Sequence, residues 1–201
     1  MSSTEDTILA EMLCARLCHD MAGAIGAAAA GAELLEDGFD AETARMVAES
    51  TAGAVARLKF FRAALGPAGS RQPAGALRDL AAGYLKAAAP GGRMGLSLRW
   101  QCDPAELDGD QGRLLLNLVL VARDCLPRGG VISVTVGTGG ISVAFEGEGA
   151  GLGSEAESGL VEGHFPDGPR GAQAWLARRL AEKIAVTPRY AATQGGGRID
   201  V

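Results

Sequence analysis

The sequence predicts an α+β protein: an N-terminal antiparallel helical hairpin followed by an α/β sandwich. Three observations carry this reading. Residues 5–65 hold two long stretches with apolar residues at three- and four-residue steps and no proline. The stretch "GPAGSRQPAG", Gly66 to Gly75, ends that pattern with glycine and proline. Beyond it, short alternating segments intermix with helical ones, as in a two-layer sandwich.

Glu5 to Asp37 reads as the first helix, with Leu9, Leu13, Leu17, Met21, Ala24 and Ala28 forming one apolar stripe. Gly38 is placed to cap its C-terminus and Asp40 to cap the next helix. That helix spans Ala41 to Leu65, and Val47, Ala54, Leu58, Phe61 and Leu65 are spaced like a heptad seam. Two long helices and a short connection make an antiparallel hairpin.

Pro73 then opens a helix to Ala88, and "MGLSLRWQC" alternates Leu96, Leu98 and Trp100 as a strand does. "DGDQGRLLLNLVLVARDCLP" is a very apolar helix ending at Pro127, and "GGVISVTVGTGGISVAFEG" is a hairpin around Gly137 to Gly140. Gly147 to Gly153 reads as a mobile loop, "PRGAQAWLARRLAEKIAV" as a helix and "TPRYAATQGGGRIDV" as a final strand pair. The domain boundaries expected from this are 1–66 and 73–201.

Composition excludes several classes. The net charge is −5, and the 19 basic residues are scattered, so no nucleic-acid partner is expected. No apolar run reaches the ~18 residues of a membrane helix. The start, "MSSTEDTILAEML", is acidic and lacks a basic signal region, so a cytoplasmic protein without membrane association is expected.

The cysteines are Cys14, Cys18, Cys102 and Cys125, with no C-x-x-C pair. Zinc sites bring ligands at tighter paired spacing, so small buried thiols in a reduced compartment are expected instead. Gly151 to Ala156 formally fits G-x-G-x-x-A, but Gly159 and the polar "SEAESG" argue against the long helix a dinucleotide site needs. His164 lies in a glycine- and proline-flanked loop, and a surface role is its default.

His19 lies off the apolar stripe, about 200° around the helix from Leu17 at ~100° per residue. Most exposed helical histidines are inert. A neutral imidazole on a rigid helix can also carry a phosphoryl group, because a docking partner reaches it and the helix holds it in line for attack. Asp20 beside it either orients the ring or belongs to a polar face. Periodicity alone leaves both readings open.

"RLCHDMAGAIGA" resembles the phospho-accepting helix of dimeric, ChpT-type histidine phosphotransferases, in which an R-L-C-H-D run is followed downstream by E-L-L. Here these are Arg16 to Asp20 and Glu33 to Leu35. "LLLNLVLVARDCLPRGGVISV", Leu114 to Val134, resembles the same family's N-L…L-P-x-G-G segment. Ala27 to Ala30 depart from the family, which often carries asparagines there.

The second segment also resembles the N-box of histidine kinases, N-L-x-x-N-A, with Val121 in place of the Asn that helps to hold Mg-ATP. Mg²⁺ demands oxygen ligands, which valine lacks. "FEGEGAG" resembles the next box, D-x-G-x-G, with Phe145 in place of the adenine-reading Asp, and "HFPDGPRGAQ" lacks the paired glycines of the phosphate loop. The resemblance implies a degenerate histidine-kinase ATPase-like sandwich that does not bind ATP.

It further implies a histidine phosphotransferase of a bacterial phosphorelay. His19 is the phospho-acceptor, Asp20 orients it and Arg16 is its neighbour. The expected partners are receiver domains of a hybrid histidine kinase and of response regulators. No cofactor is expected on this chain, and Mg²⁺ is expected on the receiver partner. Two hairpins with one stripe each are expected to pair as a homodimer, a four-helix bundle with two-fold symmetry. The alternatives are an ATP-dependent histidine kinase or ATPase, and a non-catalytic helical adaptor.

Overall fold

The structure, a computed structural model, describes residues 3–88 and 95–201; Met94, at the head of the expected first strand, lies outside them. Helix α1 spans Ser3–Asp37 and α2 spans Ala41–Leu65. Only residues 38–40 connect them, so they return alongside each other. Asp40 caps α2, accepting from the backbone N–H of Thr43 at 2.8 Å and of Glu42 at 3.4 Å. Gly38 is not in the left-handed conformation of the expected C-cap.

The α1 stripe is as expected: Leu9 is buried, and Leu13, Leu17, Met21, Ala24 and Ala28 are half-buried. On α2 the heptad seam is partly wrong. Val47, Ala54 and Phe61 face inward, but Leu58 is 48% exposed. At ~100° per residue Leu58 lies only ~20° round from Val47, less than buried Phe61 at ~40°, so its exposure reflects what covers α2 at that level and not a turn of the seam. Where the helices approach, Gly31 is buried, and a Cβ there would lie 2.5 Å from Val47 Cγ2.

The end of α2 enters the main core. Phe60, Phe61 and Ala64 are buried with Leu77 and Tyr84 of α3, Ala74–Ala88, and the Phe60 and Tyr84 rings stack at 4.3 Å. Each large side chain buried there contributes roughly 1.5–3 kcal/mol. Before α3, Gln72–Pro73 (β1) pairs antiparallel with Glu106–Leu107 (β3), a two-stranded piece that the sequence pattern did not foretell. Pro73 therefore sits in a strand, and α3 begins one residue later. Such a short pairing leaves no alternation to read.

The main sheet has five strands: β2 Leu96–Cys102, β4 Gly130–Gly137, β5 Gly140–Glu146, β6 Arg189–Thr193 and β7 Gly196–Asp200, in the order β2-β4-β5-β7-β6. β2 and β4 are parallel and the other pairs antiparallel. Gly137 pairs with Gly140 at the β4–β5 turn, and Gly140 has φ 104°, a conformation that favours glycine. Ile132, Val134, Val143 and Phe145 point into the core beneath α4, Gly109–Asp124. This is a two-layer sandwich.

The Gly147 to Gly153 loop leads into two short helical turns, not a long helix. Ser154–Glu157 (α5) is one helical turn, continued by a π-helical turn at Ser158–Glu162 that buries Leu160. Helix α6, Pro169–Lys183, packs on α4. Asn117 of α4 is fully buried. Its amide donates to the carbonyls of Ala64 and Arg113 at 2.7 Å each, and its oxygen accepts from Gln173 of α6 at 2.5 Å. One side chain thus ties three helices together, with each polar atom satisfied.

A second, smaller cluster fixes α1. Leu9, Ala172 and Trp175 are buried together, with Met12, Leu13 and Phe165 packed around them. The first helix is therefore seated on α6 as well as on α2. Among the described residues, no helix is long and apolar enough to cross a membrane.

Candidate functional site

The 3.6-residue period decides how the quoted residues point. His19 has an 89% exposed side chain, while Arg16 and Asp20, three residues before and one after it, turn inward at 13% and 14%. His19 Nδ1 lies 3.3 Å from Asp20 Oδ1, long for a hydrogen bond but in reach of one. The structure thus brings together the three residues that the sequence singled out.

It adds partners that the sequence did not reveal. Arg16 donates through both Nη groups to Asp124, at 2.5 and 3.0 Å, the bidentate fork that suits guanidinium and carboxylate. Arg123 donates to the same carboxylate at 3.0 Å. Burial would lower the Arg16 guanidinium, but Asp124, then Tyr84 and Asp20, raise it above its ordinary value. Arg123 is raised in the same way, against its burial, by Tyr84, Asp124 and Asp20. Burial pushes the Tyr84 phenol up, with Arg123 and Arg16 pulling it back. Asp124 stands inside a segment singled out by sequence, but no spacing connects it to Arg16, 108 positions away.

Arg16, His19, Asp20, Arg123 and Asp124 line an open cavity of about 770 Å³. His19 and Asp20 stand on one wall. Val121, Gly151, Gly153 and Gln173 form others. Val121 is buried, and Phe145 is fully buried with its ring 6.5 Å from that of Tyr190, nearly parallel. The two positions at which the sequence departs from the kinase-like motifs are thus apolar and packed here.

The other candidates lie apart. Cys14 and Cys18 are exposed, not buried as expected, because they lie on the solvent side of α1; Cys102 is half-buried and Cys125 buried. Burial pushes the Cys125 thiol up to about 12. Among the described residues, no group of three or more His, Cys, Asp or Glu could hold a metal. His164, 73% exposed, contacts Glu162 and Ser158 away from this cavity.

Residues 76–196 match the histidine phosphotransferase C-terminal domain family. The chain belongs to that family. A protein phosphotransferase ChpT from Brucella abortus (strain 2308) is 34% identical over 130 residues, which is 63% of this chain and 59% of that relative. The chain thus matches less than two thirds of this relative's length. A solved bacterial phosphotransferase superposes with a TM-score of 0.81 at 26% identity, over 99% of this chain and 96% of its own. A histidine kinase domain from Erythrobacter litoralis EL346 aligns at a TM-score of 0.47 and 14% identity, too loose a likeness to carry weight.

Proposed function

We propose that this chain is a phosphorelay histidine phosphotransferase that carries a phosphoryl group on His19 between receiver-domain aspartates. The observation that carries the reading is the His19–Asp20 geometry: an imidazole turned to solvent with a carboxylate at its Nδ1, in a chain of the histidine phosphotransferase family.

With Asp20 as acceptor, the proton resides on Nδ1, and the Nε2 lone pair is the nucleophile. Nε2 attacks the phosphorus of a receiver's aspartyl phosphate. The N–P bond forms, the P–O bond to the aspartate breaks, and the receiver carboxylate leaves with the electron pair. Asp20 offsets the positive charge that develops on the ring. Transfer to a second receiver is the reverse, with its aspartate oxygen attacking the phosphorus and Nε2 leaving. The transition state is loose, so alignment and charge stabilisation supply the rate. The Mg²⁺ for both steps belongs to the receivers.

Val121 and Phe145 support a carrier that takes its phosphoryl group from a protein rather than from ATP. Exposed apolar side chains on both helices of the hairpin, among them Ile25, Val55 and Leu58, support pairing with a second copy. Incubation with phosphorylated receivers tests the reading through the bond formed: an acid-labile, base-stable phosphoramidate is expected. An acid-stable, base-labile label, or saturable Mg-ATP binding by calorimetry, would overturn it.

A further inference from the structure

We infer that Asp124 is a positioning residue for the transfer: it holds Arg16 and so keeps Asp20 on His19. This rests on the reading of His19 as the carrier.

Arg16 has two carboxylates within reach. Asp124 occupies both of its Nη groups, at 2.5 and 3.0 Å. Asp20, one turn further along α1, has its Oδ2 only 3.9 Å from Arg16 Nε. That is beyond a hydrogen bond, and both atoms are buried with no hydrogen-bond partner in the protein. They are two of the three such side-chain atoms among the described residues. The other oxygen of the same carboxylate is the one facing His19 Nδ1. A short swing of Arg16 would close its pair with Asp20 and draw the carboxylate from the imidazole.

Asp124 prevents that swing. Arg16 is 13% exposed, and a desolvated guanidinium left without its carboxylate is strongly unfavourable. Arg123 leans on the same carboxylate. With Asp124 neutralised, Asp20 is the remaining acidic group paired with Arg16. The pair would then form across i and i+4, and His19 would lose the acceptor that keeps its proton on Nδ1.

The test is single-turnover transfer from a receiver domain loaded with acetyl phosphate. Asp124→Asn is expected to slow labelling about ten-fold or more, within the ~100-fold that a misplacement of about 1 Å can cost. Asp124→Glu keeps the charge and should restore most of the rate. The double variant R16Q/D124N removes the competitor and should transfer faster than D124N alone, whereas a merely structural role would make it as slow or slower. ¹⁵N spectra should show the His19 proton moving from Nδ1 toward Nε2 in D124N and returning in the double variant. Should D124N not fold, the comparison moves to the R16Q background, where adding D124N should cost less than about three-fold, and a loss of about ten-fold or more there would overturn the inference. Wild-type transfer by D124N, or no recovery in the double variant, would overturn the inference. His19→Ala separates the two ideas. Label on that variant sinks the carrier reading; its absence alongside an unaffected D124N sinks only the positioning role.

Discussion

His19 lies on the solvent side of α1, while Arg16 and Asp20 turn inward beside it. The helical period alone places His19 there, so its exposure is legible in the sequence. The Arg16–Asp124 fork is not, because an ion pair between residues so far apart leaves no mark in the spacing of either. The cysteines show the same limit from the other side. Cys14 and Cys18 belong to the exposed face of α1, and reading thiols as buried by type overrides that periodicity. Their exposure gives a direct check. A thiol reagent at mildly alkaline pH is expected to modify Cys14 and Cys18 quickly in the folded protein. Cys125, buried and with its pKa pushed up to about 12, should react only on unfolding. Rapid labelling of Cys125 would mean that the end of α4 is open.

The helices of the hairpin are legible to within two residues because each has a stripe and a proline-free run. Their crossing is not, since it depends on Gly31 meeting Val47 across the hairpin, a contact that no spacing within either helix reveals. Gly31→Ala should lower stability by about 1 kcal/mol, the ~1–3 kcal/mol of an overpacked contact less a helix-propensity gain of up to ~1 kcal/mol. Urea denaturation measures it, and a stabilised variant would show that the helices have room. The cap of α2 carries a pH dependence. Asp40 is held below the ordinary carboxylate range by the Thr43 hydroxyl, then by the backbone N–H groups of Thr43 and Glu42. A carboxyl depressed on folding contributes stability above its unfolded pKa and loses it as pH falls through the folded one. The stability gap between wild type and Asp40→Ala should therefore be full near neutrality and narrow as pH drops below about 4. A gap that does not change with pH would exclude the charged cap. The β1–β3 pairing escapes the sequence for a different reason: two-residue strands carry no period.

Across the whole molecule, the fold class is legible because the hairpin and sandwich differ so plainly in pattern. The seating of one on the other is not. It comes from Leu9 meeting Trp175 and from Phe60 and Phe61 entering the sandwich core, contacts that no local pattern encodes. Those contacts cover part of the hairpin and leave Ile25, Leu34, Phe39 and Val55 exposed. Exposed apolar groups on two helices are what a second copy would bury. Light scattering at micromolar protein should give twice the 20.5 kDa chain mass. Replacing Ile25 and Val55 together by Glu should yield a folded monomer, and a wild-type monomer would contradict the bundle.

The measurement that bears most directly on the central claim compares wild type with His19→Ala as acceptors from one phosphorylated receiver. His19 is exposed, so the substitution should change stability by less than about 0.5 kcal/mol, and circular dichroism should confirm an intact fold. Asp20 and Cys18 point ~100° to either side of it, so neither can take the place of the imidazole. The expected result is label on the wild-type chain and none on the folded alanine variant. Label on the variant at the wild-type rate would contradict the account and leave the hairpin as a docking adaptor.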